Sequence, residues 1–170
     1  MDLEGIPVVD HHAHNIVRPE VMATIPYAAP FSEALDPETV ARFVPDVLAY
    51  RRSLRDLAEL FGVEASEEAL LGVRHDLGHE TLARRCFEAA NIEALYLDDG
   101  FAKDLLEPLS WHRKFVPVKR ILRLEVLAQD IIAGCDSLSA FLDAFRAALD
   151  PLPADVVSFK SIAAYRTGLQ

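Results

Sequence analysis

The chain has 170 residues, 51% of them hydrophobic and 26% charged, a composition with enough apolar material for one buried core. Its 17 basic and 27 acidic residues leave a net charge of -10, which argues against nucleic acid or an anionic membrane surface as the main partner. No apolar run approaches a membrane span, and Met1-Asp2-Leu3-Glu4 lacks the basic start of a secretion signal. Cys86 and Cys135 are too few for a disulfide scaffold, so the expectation is a cytoplasmic protein with two reduced thiols.

Four apolar runs read as strands. The first, Ile6 to Asp10, reads as a buried strand and opens directly into His11-His12-Ala13-His14-Asn15. A long helical stretch follows. Asp36 before Pro37 is an expected N-cap with proline at the first helical position, and Pro45 interrupts that helix and starts another. Val47, Leu48, Leu54, Leu57, Ala58 and Phe61 form an apolar stripe ended by Gly62. Ser66 is expected to cap a further helix, with Glu67 and Glu68 in its first turn. Leu82, Ala83, Cys86, Phe87 and Ala90 share one helical face. The second strand runs from Ile92 to Leu97 and ends in Asp98-Asp99-Gly100; the third runs from Lys119 to Glu125. Helices are expected from Val126 to Ala133 and from Ser137 to about Leu149, before a fourth strand, Val156 to Lys160.

Strands alternating with helices imply a parallel sheet covered by helices, with chemistry at the carboxyl ends of the strands. An eight-stranded barrel needs about 250 residues. Four strands, with no covering helix expected after the fourth, suggest half a barrel or a fragment of a longer protein. The expected organisation is a single partial barrel over residues 1–170, with a helical insertion at about 18–90 between strands 1 and 2.

The polar residues at the strand ends are the candidate site. His12 and His14, one residue apart on an extended backbone, project to one side and suit a divalent cation such as zinc. Alone, such a pair is as readily two surface loop histidines. Asp10 is a candidate acceptor orienting a ligand histidine, or a turn residue. Lys160 closes an apolar strand, where a lysine is unexpected; it reads as a rim lysine, a substrate-binding cation, or a carbamylated lysine bridging metals. Tyr165 and Arg166, in the loop that follows, are candidates to hold a substrate carboxylate. Asp98, Asp99 and Glu125 read as substrate-binding or metal-supporting acids, or as loop and helix caps. His75, His79 and His112 lack matched spacing and read as structural, although Arg74 and His75 could reach the site from the insertion. Trp111 and His112 read as a cover for the sheet.

Taken together, these segments resemble a known family. Asp10-x-His12-x-His14 after a first strand resembles the metal motif of the amidohydrolase superfamily. Val9-Asp10-His11-His12-Ala13-His14-Asn15, Leu97-Asp98-Asp99-Gly100, Ile121-Leu122-Arg123-Leu124-Glu125 and the stretch from Phe159 to Leu169 resemble, in order, one branch of it. That branch holds amidohydrolase-like domains found alone in bacteria and fused to glutamine-synthetase-like domains in fungi and plants. The resemblance implies an α/β fold: the N-terminal half of a (β/α)8 TIM barrel, with His12 and His14 as metal ligands and Lys160 where many members place a carbamylated bridging lysine. The family's further histidine ligands, and the aspartate that serves as general base, belong to strands beyond Gln170, so the isolated chain is expected to lack them.

The leading expectation is a metal-dependent hydrolase of an amide or related C–N bond, acting on a small, carboxylate-bearing molecule through metal-activated water. The alternatives are a metal-dependent decarboxylase or other lyase of the same superfamily, and a non-catalytic half-barrel that pairs with a second copy or a second half-barrel chain to cover its sheet edges.

Overall fold

The computed structural model describes residues 5–34 and 36–166, the side chain of Arg166 excepted. The chain divides into two compact units, residues 18–90 and the remainder. In chain order, strand β1 (Val8–Ala13) is followed by the helices of the first of these: α1 (Pro19–Met22), α2 (Pro37–Phe43), α3 (Leu48–Phe61), α4 (Glu67–Leu77) and α5 (His79–Ala89). Then come β2 (Ile92–Asp98), α6 (Leu109–His112), β3 (Val118–Arg123), α7 (Leu124–Ile132), α8 (Leu138–Leu149), β4 (Val156–Lys160) and a single helical turn, α9 (Ala163–Arg166).

The four strands form one parallel sheet in the order β1-β2-β3-β4. That order decides burial. The central strands supply the core, with Leu95, Leu97, Val118 and Ile121 enclosed, and Trp111, Leu106 and Ile162 buried in the same unit. The outer strands carry their apolar residues in the open: Val8 and Val9 on β1, Val157 and Phe159 on β4. The expectation of a buried first strand is therefore corrected. An edge strand with no neighbour on one side leaves part of its surface uncovered, however apolar its sequence.

Strand β1 also lies further along than expected and includes His11 and His12. Asp10 pairs with Leu95 and Ala13 with Leu97, three residues of β1 against two of β2, so the histidine segment forms a bulge. The third strand ends earlier than expected: Arg123 is its last residue, and Glu125 lies in the first turn of α7.

In the helical unit the caps form as their residue types dictate. Asp36 Oδ2 accepts from Thr39 N–H at 2.8 Å and Ser66 Oγ from Ala69 N–H at 3.2 Å. Gly62 closes α3 in the left-handed region at φ 69°, where a side chain would be strained. Pro45 sits in a 3₁₀ turn between α2 and α3. Val40, Val44 and Tyr50 form the core, with Tyr27, Phe31, Val47 and Leu54 packed around them. Leu48, placed on the apolar stripe by its spacing, is instead 72% exposed in the first turn of α3. Among the described residues no helix is long and apolar enough to cross a membrane.

Candidate metal centre

The carboxyl ends of the four strands bring His12, His14, Asp98, Arg123 and Lys160 together. Asp98, the last residue of β2, is the hub and is only 1% exposed. Arg123 Nε reaches both carboxylate oxygens at 3.1 Å, and its Nη2 makes a further short bond to Oδ2. Lys160 Nζ lies 3.1 Å from Oδ2, and Gly100 N–H donates to Oδ1 at 3.2 Å. Burial pushes the Asp98 carboxyl upward, but donation from Arg123 and Lys160 outweighs it and holds the group below the ordinary aspartate range. The carboxylate therefore stays ionised between two cations.

Gly100 is required for this packing. A Cβ there would stand 2.9 Å from Arg123 Cβ and 3.3 Å from Asp98 Oδ1. Any side chain would force Arg123 to shift.

The two histidines meet this hub differently. His14 Nδ1 is 3.2 Å from the Asp98 carbonyl oxygen, which can only accept, and 3.9 Å from Asp98 Oδ2, so Nδ1 carries a proton and Nε2 is the ring nitrogen turned to other partners. A backbone carbonyl that fixes the tautomer in this way is the usual support for a metal-binding imidazole. His12 Nε2 lies 3.5 Å from Lys160 Nζ, so its lone pair faces an ammonium group. Phe101 packs on the His14 ring at 5.5 Å and under Arg123 at 5.8 Å. Asp10 supports the bulge rather than a ring: its Oδ1 accepts from the His12 backbone N–H at 3.1 Å.

The segment behind His14 is tied down by buried polar groups. Asn15 Nδ2 donates to Glu107 O at 2.8 Å, and Glu107 N–H donates to Ile16 O at 2.7 Å. His112, fully buried, accepts from Ile16 N–H through Nε2 and so donates through Nδ1 to Pro108 O at 3.0 Å. Its role is to hold the exit of β1, alongside Trp111 in the core.

Glu125 stands apart from the hub. Ser161 Oγ donates to one of its oxygens and Ile162 N–H to the other at 2.9 Å. Burial raises its carboxyl pKa, and these donors, with further backbone N–H groups, together lower it by more. It fixes the turn after β4. Asp99 pairs with Arg120 Nε at 3.2 Å. Tyr165 is 84% exposed. The side chain of Arg166, and Thr167 to Gln170, lie outside the described residues. His75 and Arg74 belong to the helical unit.

Sequence reasoning assigned no role to Arg123. The signal was present: a lone basic residue inside the apolar run Ile121-Leu122-Arg123-Leu124, one strand over from the acidic end of β2. A buried arginine requires a buried acid.

The described residues fit a divalent cation in part. Two neighbouring imidazoles suit zinc, but a zinc site usually takes three or four protein ligands, and the nearby carboxylate is engaged by Arg123 and Lys160. Among the described residues no group of three or more His, Cys, Asp or Glu could hold a metal ion.

Comparison with known proteins gives two relatives, and no family model matches the chain. Protein fluG of Emericella nidulans is 30% identical over 191 aligned positions, covering 96% of this chain. A crystal structure from Lactobacillus casei, of a protein provisionally described as a metal-dependent hydrolase, superposes with a TM-score of 0.74 and 29% identity over 98% of this chain. The chain spans 22% of the length of the first and 45% of the second. These likenesses support a relationship to metal-dependent-hydrolase-like proteins and an α/β fold built on a four-stranded parallel sheet.

Proposed function

We propose that this chain is one half of a (β/α)8 barrel of the amidohydrolase type, and that it contributes His12 and His14 to the metal site of a hydrolase acting on an amide or related C–N bond. The observation that carries the reading is His14, whose Nδ1–H bond to the Asp98 carbonyl leaves Nε2 as its ligating nitrogen, at the carboxyl edge of a parallel sheet that also carries His12. Its 29% identity to the Lactobacillus casei protein over nearly the whole chain supports it. The apolar edges of β1 and β4 are the surfaces on which further strands, or a second half-barrel chain, would pair.

In this reading each residue has a defined task. His12 and His14 would hold the cation, completed by donors outside the described residues. When bound, a divalent cation, zinc above all, lowers the pKa of its water to about 7 and polarises a carbonyl. Arg123 and Lys160 against the single carboxylate of Asp98 leave one positive charge in excess, which favours a carboxylate-bearing substrate near the site. Tyr165 and Arg166 would extend that recognition from the turn after β4. The ion pair of Lys160 with Asp98 is one that an unmodified ammonium makes, so this reading keeps Lys160 as a cation and does not require its carbamylation.

The test is zinc titration of the purified chain, followed through its histidine ring resonances. His12 and His14 are expected to shift together, and His12→Ala/His14→Ala to weaken binding by tenfold or more. Equal zinc affinity in both proteins would overturn the metal assignment. Amine release from carboxylate-bearing amides, abolished by chelator, is expected of the assembled enzyme; release of carbon dioxide instead would transfer the site to the decarboxylase alternative.

A further inference from the structure

We propose that the helical unit carries a separate binding site for a small apolar carboxylic acid, anchored by Arg74. The inference rests on residues 18–90 alone and is independent of the metal reading.

Between α1 and the α4–α5 corner lies a cavity of about 540 Å³, within the range of about 300–1,000 Å³ that small-molecule sites occupy. Its walls are largely apolar, with Met22, Ile25, Pro26, Tyr27 and Leu71 among the lining residues. These are not the core of the unit, which is built around Val40, Val44 and Tyr50. Ile25 and Leu71 are exposed, an arrangement that lowers free energy once something apolar covers them.

The polar groups in the wall are unevenly satisfied. Glu67 Oε1 accepts from the Tyr50 hydroxyl at 2.6 Å, which turns that oxygen toward the core of the unit while the carboxylate keeps its charge. His75 lies against Asp76 Oδ1 at 3.1 Å. Arg74 differs: among the described residues its guanidinium makes no ion pair and lies over the Tyr27 ring, 5.8 Å from its centroid. That ring is itself fixed, with its hydroxyl 2.8 Å from Ser53 Oγ and its edge against Tyr50. A guanidinium oriented by an aromatic face at the margin of an apolar cavity, with no ion pair to the Glu67 carboxylate of the same lining, is a ready partner for a carboxylate. Gly78 and His79, where α4 ends and α5 begins, also line the cavity. The apolar walls and this single cationic end select an amphipathic anion, with an aromatic or branched body that can lie against Tyr27 and the Met22 thioether.

The chain offers a direct reporter. Its two methionines are Met1 and Met22, so one methyl-labelled methionine resonance reads the cavity. The probes are 4-phenylbutyrate, 4-phenylbutanol and 4-phenylbutylamine, which share a body and differ in charge. Titration with the acid is expected to shift the Met22 methyl saturably, with the alcohol weaker and the amine weakest. Arg74→Gln should weaken the acid about tenfold while leaving the alcohol unchanged, and Arg74→Lys should recover part of the loss. Leu71→Trp, which fills the cavity from an exposed position, should reduce binding of all three. Equal affinities for acid and amine in the unaltered protein, or an Arg74→Gln variant that binds the acid as before, would overturn the proposal. So would a Met22 methyl that none of the probes moves.

Discussion

Among the described residues, the hub of the sheet unit is an acid, Asp98, and the most enclosed side chain of the helical unit is a valine, Val44. Each is almost fully buried, yet they stabilise by different physics. Asp98 is buried because Arg123, Lys160 and Gly100 N–H replace the water it has lost. Val44 is buried because nothing in it needs water. The first kind of burial places charges accurately at the carboxyl edge of the sheet, where chemistry is expected, and fails sharply when one partner is lost. The second tolerates change in proportion to the area lost.

The largest expected effect follows from breaking the charged hub. Asp98→Ala leaves Arg123 and Lys160 facing each other without their shared counter-charge, and a destabilisation of about 3–5 kcal/mol is expected from urea unfolding. Amide hydrogen exchange should accelerate first in β2 and β3. The same group sets an acid dependence. Its pKa is lowered on folding, as is that of Glu125, so the unfolded chain binds more protons in the acid range. The stabilisation is complete at neutral pH, begins to fall at about pH 4 and is lost as pH drops through the folded values. An acid titration of exchange rates in β2 that is no steeper than the one in α3 would contradict this assignment.

How much of this was legible in the sequence divides along the same line. The helical unit could be read from local chemistry: Asp36 with Pro37, Ser66 with two glutamates, and Gly62 after an apolar stripe each act within a few residues of themselves. Strand β4 was legible for the same reason. What failed was information that depends on neighbours. The first strand was expected over Ile6 to Asp10, but pairing with β2 carries it from Val8 to Ala13, through His11 and His12. Burial of β1 could not be read, because edge position is a property of strand order. At the site, His12, His14, Asp98 and Lys160 were visible as polar strand ends. Arg123 was not assigned, since it matters only through an acid 25 residues earlier.

A middle-sized effect probes the apolar side of the comparison. Val44→Ala removes two methyl groups at a position 2% exposed and is expected to destabilise by about 2 kcal/mol. Exchange should accelerate in α2 and α3, and the zinc response of His12 and His14 should be unchanged. A loss of that response would mean that the valine contributes to the geometry of the strand ends, and the two kinds of burial would no longer be separable.

The smallest effect makes the sharpest comparison, because the same chemical group occurs in each unit. Ser66 Oγ caps α4 by accepting from Ala69 N–H at 3.2 Å, and Ser137 Oγ caps α8 by accepting from Ala140 N–H at 3.2 Å. Each serine replaced by alanine loses one acceptor for an otherwise unpaired helix N–H, an effect of about 1 kcal/mol. The chemistry is matched, so any difference between the variants belongs to the units and not to the substitution. If the units unfold separately, Ser66→Ala should speed exchange in α3 and α4 without touching β2 and β3, and Ser137→Ala should do the reverse. If either substitution accelerates both sets of amides equally, the chain unfolds as one cooperative body. The charged hub and the apolar core would then be two parts of a single stability, and the size of the Asp98→Ala effect would have to appear in α3 as fully as in β2.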